Sequence, residues 1–411
     1  MPQLAINGAA PVRTKPFPAW PMNLDESAQA AAETVRSGRW GSIQGEQVRS
    51  LEQRFAAFQQ AAHGIAVSNG TTALCLALQA VGIEPGDEVI VPAYTFIASA
   101  SSIVMSNAVP VFVDIDPHTY NLDPDRVEQA VTSLTRAVVA VHFAGLPADM
   151  DRLGEIAGRH GLAVIEDAAQ AHGARWGGRG VGGIGAIGAF SFQSSKNLNA
   201  GEGGIMLTDD DDLAEAARSL ADCGHVAPGP RYNHYRMAGN NRMTEIQGAV
   251  LLAQMAHLEA QTDLRHANGD YLTERLGAVP GIVPVSRPAK CDRHARHIYM
   301  FKYSADAFGG ISKTRFIEAL RAEGIPASPG YSIPLYKQPV FRNRNYGIYQ
   351  SPALSDVDYD ALHMPVTERA CSAEAVWFTQ SVLLGSRDDM DDIVRAVAKI
   401  GNHRDELGET G

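Results

Sequence analysis

Positive charge is scarce in this chain and is never clustered. Thirty-five Lys and Arg stand against 46 Asp and Glu, for a net charge of −11. Nucleic-acid binding needs grouped Lys and Arg to neutralise phosphates, so the balance argues against a nucleic-acid partner. A small anion can still be held in one local pocket. Cysteine is also sparse: Cys75, Cys223, Cys291 and Cys371 are far apart and form no Cys-x-x-Cys pair. That pattern fits reduced thiols and a cytoplasmic location better than a disulfide framework. The first 21 residues lack the continuous apolar stretch of a secretory signal. Charge is absent altogether from residues 89–113. That stretch could span a bilayer by length. Pro92, Pro110, the Tyr94-Thr95 pair and several serines break it, so it is expected to form strand, loop, buried helix and strand, with no membrane span.

What is present is a soluble-protein composition over 411 residues, 45% apolar and 20% charged, enough for two domains. Asp25 is positioned to cap a helix reaching Arg36, closed by Ser37-Gly38. Val48, Leu51, Phe55 and Phe58 recur at helical spacing. Short β-branched runs then alternate with helical stretches. Strands are expected at 64–67, 88–91, 109–114, 137–142 and 162–166, with helices at 71–81, 97–106, 124–131 and 149–160 between and after them. Two further strands, 185–192 and 204–208, are joined by a glycine-rich link. Such alternation implies an α/β fold with a mostly parallel sheet covered on both faces. Helices are expected at 213–220 and 243–258. Beyond them the alternation loosens around proline clusters. The expected organisation is an N-terminal arm and large domain over 1–255 and a smaller α+β domain over 256–411.

In open α/β sheets, ligands bind beyond the carboxyl ends of the strands, and the unusual residues fall there. Ser68-Asn69-Gly70-Thr71-Thr72 follows the first strand and opens a helix, a geometry suited to phosphate but shared by many tight turns. Pro92-Ala93-Tyr94-Thr95-Phe96 follows the next. Phe96 could stack on a flat ring, and taken alone would be read as core. Glu166-Asp167 ends a buried strand, where a carboxylate needs a partner. A pyridinium nitrogen would serve, and so would a helix N-terminus. The segment from Ser191 through Lys196 to Gly204 places one lysine in a glycine-rich loop. Partial desolvation would make its amine usable, whereas most loop lysines are merely solvated. The ordered set of phosphate turn, aromatic, carboxylate and lysine outweighs each bland alternative.

Three patterns are set aside. Gly180-Val181-Gly182-Gly183-Ile184-Gly185 spells a dinucleotide fingerprint, but it neither follows an apolar strand nor opens a helix. Cys291, His294 and His297 lack a matching second pair, so no metal site is expected. The run Asp209–Asp212 lacks calcium-loop spacing and fits a turn and helix start.

With these residues in view, the chain resembles the DegT/DnrJ/StrS family of pyridoxal-phosphate-dependent aminotransferases. The resemblance runs from Phe17-Pro18-Ala19-Trp20-Pro21 to about residue 400. Asn69-Gly70-Thr71-Thr72-Ala73-Leu74, Val91-Pro92-Ala93-Tyr94-Thr95-Phe96, Glu166-Asp167-Ala168-Ala169-Gln170, the Ser191 to Gly204 segment and Gly239-Asn240-Asn241-Arg242-Met243 carry it. It implies fold type I, the cofactor pyridoxal 5′-phosphate, and a homodimer with shared active sites. It implies that Lys196 forms the Schiff base and that Asp167 pairs with the ring nitrogen. Phe96 would stack on the ring and Gln170 lie near its hydroxyl. Gly70, Thr71 and Ser191 would hold the phosphate, with Asn240 reaching it from the neighbouring subunit. Relatives with histidine at the lysine position are dehydratases, and this chain keeps lysine. Asn69 departs from the commoner serine, which bears on the fit of the phosphate.

The arm at Phe17, Ser37-Gly38-Arg39-Trp40, Val141-His142-Phe143-Ala144-Gly145 and Pro334-Leu335-Tyr336-Lys337 are similar to the branch that aminates scyllo-inosose and related ketocyclitols. Ala144-Gly145-Leu146-Pro147-Ala148-Asp149-Met150-Asp151 is similar also to 3-amino-5-hydroxybenzoate synthase, an aromatising dehydratase. The expected activity is therefore transfer of an amino group from glutamine or glutamate to a ketocyclitol or keto-sugar. Aromatising dehydration and a nucleotide-linked keto-sugar acceptor are the alternatives.

Overall fold

The computed structural model describes residues 2–230 and 232–408. Seven strands form the central sheet: β1 (His63–Val67), β2 (Glu88–Pro92), β3 (Val109–Val113), β4 (Thr135–Val141), β5 (Ala163–Asp167), β6 (Ile187–Ser191) and β7 (Gly204–Thr208), in the order β1-β7-β6-β5-β4-β2-β3. Only β7 runs antiparallel, to β1 and β6 on either side; the other six share one direction. The sheet is thus mostly parallel, as the strand–helix alternation predicts, and the carboxyl ends of six strands open on one edge. Strands β4 and β6 are almost continuously buried, as a sheet covered on both faces requires.

Local chemistry explains the boundaries. Asp123 and Asp149 cap the helices Pro124–Ala130 and Met150–His160, the first with proline at its opening position and the second closed by left-handed Gly161. Residues 89–113 form β2, the helix Ala98–Met105 and β3. No helix among the described residues is long and apolar enough to cross a membrane. One cap was misplaced: the first long helix is Leu24–Ser37, with Asn23 at its cap in a left-handed conformation. Asp25 lies inside the first turn, where its charge still suits the helix dipole.

The helix expected at 243–258 runs from Glu245 to Gly277, straight through residue 255. Its second half hides from an apolar pattern because polar residues line its buried face. Arg265 Nε donates to Gln380 Oε1 at 2.8 Å, and Asn268 Nδ2 donates to the Leu383 and Gly385 carbonyls. This helix contributes to two hydrophobic cores. One surrounds the seven-stranded sheet; the other gathers Leu272 and Leu276, the antiparallel sheet of Ile282–Pro284, Ile298–Tyr303 and Ala375–Thr379, and the helices Lys313–Ala322 and Arg387–Asn402. Leu4 from the N-terminal arm is buried in that second core.

Candidate active site

Four sheet-edge segments meet at one cavity of about 500 Å³. After β1, Asn69 caps the helix Gly70–Ala80 by accepting the Thr72 N–H at 2.8 Å. That commits the Asn69 side chain to its own helix and leaves the Gly70 and Thr71 N–H groups without an intrahelical acceptor. A Cβ on Gly70 would stand 2.6 Å from Ser191 Cβ, so only glycine lets the turn approach the end of β6. The result is an anion cradle of two backbone donors, the Thr71 hydroxyl and the Ser191 hydroxyl at a helix N-terminus.

Phe96 follows β2 and is 56% exposed, which removes the core reading and leaves its ring as a wall of the cavity. Asp167 ends β5 and is nearly buried. Ser99 Oγ donates to Asp167 Oδ2 at 2.6 Å and the Ala169 N–H to Oδ1 at 3.2 Å. Gln170 is buried on the same wall, its Oε1 accepting the Ala144 N–H at 2.7 Å.

Lys196 lies in the β6–β7 loop, where its backbone N–H donates to Gln193 O and its Nζ has no hydrogen-bond partner. Burial pushes the amine down to about 8, against the opposing pull of Asp167. A lysine so placed has an appreciable neutral fraction near neutral pH and can act as a nucleophile. Gly70, Thr71, Phe96, Asp167, Gln170, Ser191 and Lys196 therefore converge on one space. Asn240 does not join them. It is exposed, and its Oδ1 accepts the Arg242 N–H at 3.3 Å.

The second half of the chain supplies a wall that the motifs did not mark. His297, Ile298, Tyr331 and Trp377 line the cavity. Ser328 and Trp377 exchange both backbone hydrogen bonds, at 2.9 and 2.8 Å. A Cβ on left-handed Gly330 would fall 2.5 Å from the Trp377 indole, so glycine lets the loop cross the ring and deliver Tyr331. The Tyr331 and Trp377 rings then meet edge to face at 4.9 Å. The only sequence signal was an aromatic beside the proline cluster. Burial, with the nearby Lys196 charge adding to it, drives His297 well below its ordinary value, so it is neutral in the wall.

The patterns set aside have structural explanations. In the glycine-rich stretch, the Gly182, Ile184 and Gly185 N–H groups all donate to buried Glu166, each at 2.7 Å. Asp210 caps the helix Asp211–Ala221, while Asp209 accepts from Ala62 N and Arg179. His294 Nδ1 accepts the Arg296 N–H and His297 Nδ1 meets Asn197 Oδ1. No group able to hold a metal occurs among the described residues.

A flat, phosphorylated aldehyde with a basic ring nitrogen matches this donor set: backbone N–H groups for phosphate, an aromatic face, a carboxylate and an uncommitted amine. Comparison with known proteins agrees. An L-glutamine:2-deoxy-scyllo-inosose aminotransferase from Streptoalloteichus tenebrarius is 41% identical over 98% of this chain and 99% of its own length. A 3-amino-5-hydroxybenzoate synthase from Amycolatopsis mediterranei is 38% identical over 93% of this chain and 96% of its own length. A crystal structure of 3-amino-5-hydroxybenzoic acid synthase superposes with a TM-score of 0.84 at 36% identity, covering 96% of this chain and all of that one. The DegT/DnrJ/EryC1/StrS aminotransferase family model matches residues 22–382. The chain belongs to this family and is a pyridoxal-phosphate-dependent aminotransferase.

Proposed function

We propose that this enzyme moves the amino group of L-glutamine onto an uncharged ketocyclitol of the 2-deoxy-scyllo-inosose type, in aminocyclitol biosynthesis. The donor and acceptor classes come from the 41% identical relative. The observation that carries the acceptor is electrostatic: among the described residues that one subunit contributes to the cavity wall, Lys196 is the only Lys or Arg. A nucleotide-linked keto-sugar brings a diphosphate, which cations ordinarily neutralise. Lys196 is needed for the cofactor, and the rest of the wall is aromatic, amide, hydroxyl, acidic or aliphatic, with a neutral His297. A polyol ketone suits such a wall.

Bound pyridoxal phosphate supplies an electron sink that stabilises negative charge developing on the donor carbon. Gly70, Thr71 and Ser191 would hold the phosphate, and Phe96 would lie against the ring. Asp167 would pair with the ring nitrogen and favour its protonated form. Gln170 would serve the ring hydroxyl. Lys196 would hold the cofactor through its amine, and that amine is the group placed to move a proton at the donor carbon. Tyr331 and Trp377 close the acceptor side.

Asn240 is assigned to the site of a second copy in a homodimer. Its neighbours Met237 and Tyr235 are 97% and 61% exposed, two large side chains suited to cover by another subunit. Four free cysteines support a cytoplasmic location.

A second reading, aromatising dehydration, draws on the likeness to the hydroxybenzoate synthase. Assaying the enzyme with L-glutamine and 2-deoxy-scyllo-inosose, and separately with a nucleotide-linked keto-sugar, tests the proposal. Stoichiometric glutamine consumption with the cyclitol supports it. Turnover of the nucleotide sugar alone, or product without donor consumption, contradicts it.

A further inference from the structure

The Asp167 carboxylate is braced by a pair of hydroxyls, Thr95 from the segment that ends in Phe96 and Ser99, which no motif marked. Ser99 is fully buried and donates to Asp167 Oδ2 at 2.6 Å. Thr95, also buried, places its Oγ1 3.1 Å from Ser99 Oγ. A carboxylate can only accept, so the Ser99 hydrogen is committed to Asp167 and Thr95 must donate to Ser99. The direction is therefore set from Thr95 to Ser99 to Asp167, and each bond polarises the next. The brace shares a turn with the ring wall. Ser99 lies in the first turn of the helix Ala98–Met105, and its backbone N–H donates to Phe96 O at 3.2 Å. One turn of chain thus sets both the aromatic face and the hold on the carboxylate. Asp167 Oδ1, which takes only the longer Ala169 contact, keeps acceptor capacity beside the cavity.

We propose that Ser99, backed by Thr95, is a positioning residue that holds Asp167 in the rotamer that meets the cofactor's ring nitrogen. The proposal rests on the assignment of Asp167 to that nitrogen. A hydrogen bond to a charged group is among the stronger ones, and its loss in a buried site corresponds to about a tenfold change in affinity.

The test is the affinity of the apoenzyme for pyridoxamine 5′-phosphate, which reads ring contacts without a covalent bond to lysine. Ser99→Ala is expected to weaken binding about tenfold, and unchanged binding overturns the proposal. In an Asp167→Asn background, Ser99→Ala is expected to add less than about twofold, because the two act as one unit. A full loss there overturns it, since Ser99 would then be acting elsewhere. An analogue with carbon in place of the ring nitrogen is expected to bind Ser99→Ala and wild type alike, and a loss with this analogue also overturns it. If Asp167→Asn alone binds as well as wild type, the Asp167 assignment fails, and this proposal with it. If Asp167→Asn loses affinity and Ser99→Ala does not, only the brace fails. Should Ser99→Ala not fold, Thr95→Val removes the outer donor while keeping its shape. A loss of roughly two- to threefold is then expected, and no loss overturns the proposal.

Discussion

Glu166 and Asp167 are adjacent on β5 and turn to opposite sides of the sheet, into opposite fates. Glu166 is sealed from solvent, accepting three backbone N–H groups and facing His142 Nε2 at 2.8 Å. His142 Nδ1 accepts the Ala148 N–H, which leaves Nε2 as the ring nitrogen that donates to Glu166. Burial alone would raise the Glu166 carboxyl, but His142 and the Gly182 and Gly185 N–H groups outweigh it and hold it low. Asp167 instead lines the cavity beside Lys196. The period of two along a strand separates a structural carboxylate from a functional one.

Glu166→Gln tests the structural half. The amide would turn donors toward donors in a closed site, a loss of roughly 2–4 kcal/mol. Thermal unfolding of the apoenzyme should show a clear fall in Tm. A variant as stable as wild type would mean that the glycine-rich loop finds other acceptors.

Asp167→Asn tests the functional half. The fold should persist, because Asp167 borders a cavity, while the ring nitrogen loses its ionic partner. Turnover is expected to fall about 10²–10⁴-fold, with faster cofactor loss on gel filtration. Full activity would assign the ring nitrogen to another group.

Gly70→Ala probes the phosphate cradle. The new Cβ would meet Ser191 Cβ at 2.6 Å, so the turn and β6 must move apart. Overpacking of this kind costs roughly 1–3 kcal/mol. Weaker cofactor retention with modest loss of stability is the expected result; unchanged retention would place the phosphate elsewhere.

The lysine gives a pH dependence whose sign follows from its environment. Burial favours the neutral amine and lowers Lys196 from 10.5 to about 8. Only the neutral amine adds to an aldehyde. The rate at which apoenzyme captures pyridoxal phosphate should rise with pH and level off above about 8. A rate that keeps climbing toward 10.5 would show an ordinary, solvated lysine.

Much of this site was legible in the sequence because each element announces itself locally. A helix cap, a strand ending in carboxylates and a lysine among glycines all lie within a few residues of the strands that aim them. Asp123-Pro124 starts its helix through cap and proline chemistry that lies within two residues. What escaped depends on contacts between distant segments. Tyr331 and Trp377 reach the cavity only through the pairing of Ser328 with Trp377, and no local pattern encodes that pairing. The helix beyond residue 258 was hidden because Arg265 and Asn268 are buried by specific hydrogen bonds, which hydrophobic periodicity cannot register. Ser99 looked like one serine among several in an apolar stretch until the fold set it against Asp167.

The central claim, that Lys196 and its pocket support transamination from L-glutamine, is tested most directly by the visible spectrum of the purified holoenzyme. Excess L-glutamine is added with no acceptor present. The account predicts that the band of the lysine-bound cofactor gives way to that of the pyridoxamine form, and that 2-deoxy-scyllo-inosose then restores it. A lysine-bound band that glutamine, glutamate and alanine all leave unchanged would contradict the account.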